Sequence, residues 1–138
     1  MKTIGYTSGV FDLFHVGHLN LLRNAKSLVD RLIVGVSTDE LVSYKHKQPV
    51  IPFNERVEIV RACRYVDAVV PQSDLDKVQA LKRLHYDVLF VGDDWYGDAS
   101  WEAYESELRL ANVKVVYFPY TTGTSSTVIN ETLERLRA

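Results

Sequence analysis

Five short apolar runs alternate with amphipathic stretches along this chain, and that alternation restricts the fold more than any other feature. Residues 3–7 read as a first strand. Leu19, Leu22, Ala25 and Val29 then recur at helical spacing, with Asn20, Arg23, Asn24 and Lys26 on the opposite face. Residues 32–36 are a near-continuous apolar run, the mark of a strand buried on both faces. Residues 37–50 are polar and basic and read as a loop. Pro52 stands where a helix begins, with Val57, Val60 and Cys63 at its period. Residues 66–70 read as a strand ended by Pro71, and Leu75, Val78 and Leu81 mark the next helix. Residues 88–91 are a buried strand stopped by Gly92; Trp101, Tyr104 and Leu108 give a helix face. Residues 113–118 are a strand stopped by Pro119, and Ser125 or Ser126 caps a last helix carrying Ile129, Leu133 and Leu136.

The pattern predicts an α/β fold: a Rossmann-like, open, doubly wound parallel sheet of about five strands with helices on both faces. At 138 residues the chain is too short for an eight-stranded barrel. No Pro/Gly/Ser-rich linker and no repeat interrupts it, so residues 1–138 read as one domain. Sheets of this kind bind ligands beyond the carboxyl ends of their strands. The loops after residues 7, 36, 70, 91 and 118 are therefore the places to look.

Composition narrows the function. Hydrophobic residues make up 46% and charged residues 25%, which excludes a disordered chain or a fibre. The apolar runs are too short to cross a membrane. The start lacks the apolar centre of a signal peptide, so a cytoplasmic protein is expected. Cys63 is the single cysteine and cannot form an internal disulfide. A net charge of −2 argues against a nucleic-acid partner but allows a small anionic substrate in a local basic cleft.

The loop after the first strand reads Ser8-Gly9-Val10-Phe11-Asp12-Leu13-Phe14-His15-Val16-Gly17-His18 and runs into a helix beginning near Gly17. A helix N-terminus offers unpaired N–H groups and a partial positive charge, which together bind anions. Gly9 lets the backbone turn, and Gly17 puts no side chain in the path of a phosphate. His15 and His18, three apart, project on one side of the first helical turn and can both donate to one phosphate. Two other readings compete: a purely structural pair, or half a metal site. The metal reading needs further ligands; the other histidines are His46 and His85, and Cys63 reads as core. No residue is assigned to a metal.

Gly9-Val10-Phe11-Asp12 followed by His15-Val16-Gly17-His18 resembles the signature of the cytidylyltransferase-like nucleotidyltransferases. The resemblance continues in order through Val36-Ser37-Thr38-Asp39-Glu40, Arg56, Arg64-Tyr65-Val66-Asp67, Gly92-Asp93-Asp94-Trp95 and Gly123-Thr124-Ser125-Ser126-Thr127. Gly92-Asp93-Asp94-Trp95 is similar to the branch acting on glycerol 3-phosphate. The resemblance implies transfer of CMP from CTP to a small alcohol phosphate by direct in-line attack, giving a CDP-alcohol and pyrophosphate, with Mg²⁺ accompanying the triphosphate. It also implies a homodimer and a place in capsule or teichoic acid synthesis. An adenylyltransferase using ATP on the same scaffold and a non-catalytic nucleotide-binding module are the alternatives.

Carried over residue by residue, the resemblance makes His15, His18 and Lys45 catalytic. Gly9, Val10, Phe11, Gly17, Arg64, Asp93, Tyr120, Thr121, Gly123, Ser125 and Ser126 would bind the nucleotide. Lys45, Lys47, Arg56, Asp94 and Trp95 would meet the acceptor. Asp12 most simply braces the loop, since carboxylates accept backbone N–H bonds in turns. Plain alternatives stand beside these roles: a solvated basic loop for Lys45 and Lys47, a surface pair with Glu55 or Glu58 for Arg56, a helix C-terminal cation for Arg64, and turn carboxylates for Asp93 and Asp94. The chain departs from the family pattern at Tyr120, where an arginine usually meets the triphosphate. Residues 96–112 are a second departure, a segment longer than usual.

Overall fold

The computed structural model describes residues 2–43, 48–92, 99–119 and 133–136. Five strands form one sheet: β1 (Ile4–Gly9), β2 (Arg31–Ser37), β3 (Ala68–Gln72), β4 (Val88–Gly92) and β5 (Lys114–Phe118). Every pairing is parallel, and the order is β3-β2-β1-β4-β5. The connections are α1 (Val16–Ser27), α2 (Asp39–Ser43), α3 (Phe53–Ala62), α4 (Lys77–Leu84) and α5 (Ala99–Leu110). Strand order reverses between β1 and β4, so the carboxyl end of β1 lies at the switch point of a doubly wound sheet, as predicted.

Apolar side chains alternate between two cores. Leu22 and Ala25 of α1 and Val60 of α3 pack with Leu32, Val34, Val36 and Phe90 on one face. Ala80 of α4 and Trp101 and Leu108 of α5 pack with Tyr6, Ile33, Leu89 and Val91 on the other. Both faces being covered, the central strands read as near-continuous apolar runs. At the amino edge, carboxylates align neighbouring strands: Asp30 accepts the Thr3 N–H, Asp87 that of Ile4, and Asp67 that of Leu32.

The structure differs from the sequence reading in three places. Residues 37–50 are not all loop: Thr38 Oγ1 accepts the Leu41 N–H and starts α2. Pro71 does not end β3, which runs on to Gln72. A proline is tolerated there because β3 is an edge strand. Finally, α4 begins at Lys77, after the Asp76 cap, and leaves Leu75 outside it. Residues 133–136 are helical, whereas the proposed start of that helix at Ser125 or Ser126 lies outside the described residues.

Candidate active site

The β1–α1 turn is held by its own two histidines. His15 is the N-cap of α1, and its Nδ1 accepts the Gly17 N–H at 3.0 Å. His18, one turn on, accepts the His15 N–H at its own Nδ1, at 3.2 Å. The rings stack with centroids 3.9 Å apart. This is a capping box built from imidazoles. It also sets the tautomer: a neutral ring accepting at Nδ1 carries its proton on Nε2. Each histidine thus holds the backbone with one nitrogen and keeps an N–H donor on the other.

Both rings are poised to stay neutral. Burial lowers the pKa of His15. For His18 burial is the largest cause and the neighbouring His15 adds to it, while Asp12 opposes; the result is about 4. Phe11 and Phe14 lie against the His18 ring, each with centroids 5.3 Å away. Burial beside those rings removes the water that an imidazolium would need. At pH 7 His18 therefore acts as a hydrogen-bond donor without a charge.

The turn is made differently from the sequence expectation. The left-handed backbone falls at Phe11 (φ 54°) and Leu13 (φ 50°), not at Gly9. At Gly9 a Cβ would sit 3.2 Å from the Phe11 ring, a tight contact that the ring would have to relieve by a small shift. Phe11 is buried in the core, and the Val10 carbonyl accepts from Arg56. Gly17 supplies the N–H that His15 takes.

Asp12 reaches across to the segment before α3, accepting the N–H groups of Val50 and Ile51 at 2.8 and 2.9 Å. That segment directly follows residues 44–47. Arg56 holds the same region from beneath. It is 0% exposed and donates to the carbonyls of Ile51, Val10 and Ser37 and to the Asp39 carboxylate at 2.6 Å. Asp39 in turn accepts the Phe53 N–H. This corrects the expected ligand contact from Arg56: three of its hydrogen bonds go to backbone carbonyls, and its carboxylate partner is Asp39, not Glu55 or Glu58. A guanidinium so engaged ties β1, β2, α2 and α3 into one scaffold.

Arg64 follows α3 and is exposed, donating to the Tyr65 hydroxyl at 2.9 Å. With Phe14, Leu19, Arg23, Ile59 and Tyr65 it borders an open groove of about 450 Å³ between α1 and α3. Lys45, Lys47, Asp93, Asp94, Trp95, Tyr120, Thr121, Gly123, Ser125 and Ser126 lie outside the described residues. Among the described residues, no three His, Cys, Asp or Glu side chains gather to hold a metal.

The sequence reading missed a second polar group at the same edge: Ser8, Ser37, Gln72 and Lys77, linked by side-chain hydrogen bonds. Its sequence signal was slight. Each of the three strand-end residues is the first polar position after an apolar alternation, at a carboxyl end.

The chain is similar to known proteins in sequence and in fold. The cytidylyltransferase-like family model matches residues 6–134. The chain is 39% identical over 131 residues to the glycerol-3-phosphate cytidylyltransferase of Bacillus subtilis (strain 168), covering 94% of this chain and 96% of that one. It is also 39% identical over 116 residues to the FAD synthase of Pyrococcus abyssi (strain GE5 / Orsay), covering 81% and 77%. The solved lipopolysaccharide core biosynthesis protein from Thermoplasma volcanium GSS1 superposes with a TM-score of 0.73 over 88% of this chain and 98% of that one. At 23% identity that likeness speaks to the fold. No helix among the described residues is long and apolar enough to cross a membrane.

Proposed function

The chain belongs to the cytidylyltransferase-like family and is a nucleotidyltransferase, and from that premise we propose that it transfers CMP from CTP to a small alcohol phosphate. Glycerol 3-phosphate or a related polyol phosphate is the acceptor, and the product is a CDP-alcohol. An acceptor phosphate oxygen forms a bond to the α-phosphorus. The bond from that phosphorus to the bridging oxygen of the β-phosphate breaks, and pyrophosphate leaves with the electron pair. The nucleophile is already ionised at pH 7, so the reaction asks for positioning and charge stabilisation rather than a strong base.

The observation that carries this reading is the reciprocal His15–His18 cap at the switch point of the sheet. Two Nε2–H donors, held by backbone bonds made before any ligand arrives, cost no reorganisation when charge builds on the phosphate oxygens. The substrate is taken as the magnesium complex of the triphosphate, because Mg²⁺ prefers phosphate oxygens and water to a protein cage. Lys45 and Lys47 belong to the reading as phosphate-neutralising cations. Asp12 supports it by anchoring Val50 and Ile51 beside the turn, just after those lysines in the chain. Arg64, Asp93, Asp94, Trp95 and residues 120–126 complete it by resemblance to the family. A homodimer, a cytoplasmic location and a role supplying capsule or teichoic acid synthesis rest on the same resemblance.

A second reading is adenylyl transfer from ATP, with flavin mononucleotide as acceptor. Its support is the equal identity to an FAD synthase. Calorimetric titration with CTP and ATP in the presence of magnesium separates the two. Tighter binding of CTP by tenfold or more supports cytidylyl transfer; the reverse preference replaces it with the adenylyl reading.

A further inference from the structure

Phe14 faces two surroundings. Its ring lies against His18, with centroids 5.3 Å apart and planes tilted by 37°. It also lines the open groove of about 450 Å³ between α1 and α3. Leu19 lines the same groove, whereas His18, between the two in sequence, is not part of that lining. Phe11, the other ring beside His18, is packed into the core, and Phe14 is only partly buried against it. The backbone is strained just before Phe14. Leu13 takes a left-handed conformation at φ 50°, which a leucine adopts only where its surroundings compensate. Here the Asp12 bonds to Val50 and Ile51 hold the turn in that shape.

Phe14 and Leu19 stand at the N′ and N4 positions of α1, where an apolar pair commonly staples a helix start. A staple asks only for apolar side chains. The Phe14 ring does more, because it also covers the imidazole at N3. Burial is the largest cause holding the His18 pKa near 4. His15 stacks on the ring and adds to that lowering, while Asp12 opposes it. Beyond Phe14 the groove carries Arg23, Arg64, the Tyr65 hydroxyl and Cys63. Both arginines are exposed, so water screens their repulsion of an imidazolium. Hydration therefore outweighs them wherever groove water reaches His18, and it favours the charged ring. Protonation would put a hydrogen on Nδ1, facing the His15 N–H, and so break the cap that fixes Nε2.

We propose that Phe14 is a positioning residue for His18: its ring is the wall that keeps groove water off the imidazole and leaves Nδ1 free to hold the His15 N–H. Its effect on turnover rests on the nucleotidyl-transfer reading above; its effect on the imidazole does not. Phe14 thereby sets the lowest pH at which the His15–His18 cap, and any reaction that uses it, survives.

The test is an NMR pH titration of the histidine ring carbons in the full chain, for the parent, Phe14→Ala, Phe14→Gln and Phe14→Leu. Pyrophosphate release from magnesium–CTP with glycerol 3-phosphate and other polyol phosphates is followed from pH 4.5 to pH 8.5 on the same samples. In Phe14→Ala and Phe14→Gln the His18 midpoint should rise by about one pH unit, as water returns to the ring. The acid limb of kcat should rise with it, while rates at pH 8 stay within about threefold of the parent. Phe14→Leu keeps an apolar wall and should keep the parent midpoint. The glutamine variant retains side-chain length, and so tests the wall even where the alanine variant fails to fold. An unchanged His18 midpoint in both would overturn the wall. So would an acid limb that stays in place, or a rate loss equal at every pH, which is what a helix staple alone produces. A raised midpoint, with no turnover of any acceptor by the parent, would keep the wall and remove the reading that links it to catalysis.

Discussion

His15 and His18 cap each other across one helical turn, each ring accepting a backbone N–H at Nδ1 while the two rings stack 3.9 Å apart. The same bonds that start α1 also fix which nitrogen of each ring carries the proton. In the proposed reaction, local folding and catalytic preorganisation are one arrangement.

That arrangement has a pH signature. The His18 pKa falls to about 4 and that of His15 falls below its ordinary value. Between the unfolded value near 6.5 and the folded value, the unfolded chain binds more protons than the native one. Stability contributed by these rings is thus complete above about pH 6.5 and is lost as pH falls toward about 4. Urea midpoints should drop between pH 7 and pH 4.5, and the His18 ring carbons should titrate near pH 4 by NMR. A His18 titration near 6.5 would contradict the buried, stacked geometry.

Replacing His18 by alanine removes the Nε2 donor that the proposed reaction sets against developing charge. Single-turnover rates should fall by about 10²–10³, with the fold retained by circular dichroism. Parent-like turnover would remove His18 from the mechanism.

Asp12→Ala deletes both bonds to Val50 and Ile51. Stability should fall by about 2 kcal/mol by urea denaturation, because two backbone donors lose a charged acceptor. The nucleotide KM should rise too, since the released segment adjoins Lys45 and Lys47. A stability loss with unchanged KM would make Asp12 a brace and nothing more.

Arg56→Ala should be far more damaging. It empties a side-chain position that is 0% exposed and strips partners from three carbonyls and from the half-exposed Asp39. A loss of about 3 kcal/mol or more is expected, since three carbonyls lose their donor. Arg56→Lys should recover little, because one ammonium cannot span the guanidinium's fork.

Arg56 also shows where sequence reading stops. The parallel sheet was legible because a strand covered on both faces must be apolar throughout, as residues 32–36 are. The β1–α1 turn was legible because Gly9, His15, Gly17 and His18 fall at one strand–helix junction. The partners of Arg56 were not, since Val10, Ser37, Asp39 and Ile51 become neighbours through tertiary packing alone. The hydrogen-bonded Ser8–Gln72–Lys77 cluster was hidden for the same reason: Lys77 and Ser8 are 69 positions apart. Pro71 misled because its effect depends on strand order, which no local pattern encodes.

Tyr120→Arg restores the cation that the family pattern places on the triphosphate. CTP should bind more tightly by about tenfold, the scale of one charge-assisted phosphate contact. Unchanged affinity by calorimetry would mean that this triphosphate site does not depend on that cation.

The central claim is tested most directly by pyrophosphate release with magnesium, crossing CTP, ATP, UTP and GTP with glycerol 3-phosphate, other polyol phosphates and flavin mononucleotide. The account predicts CTP-dependent release with a polyol phosphate, strongest with glycerol 3-phosphate or a close analogue. Release only from ATP with flavin mononucleotide, or no release from any pair in a folded sample, would contradict it.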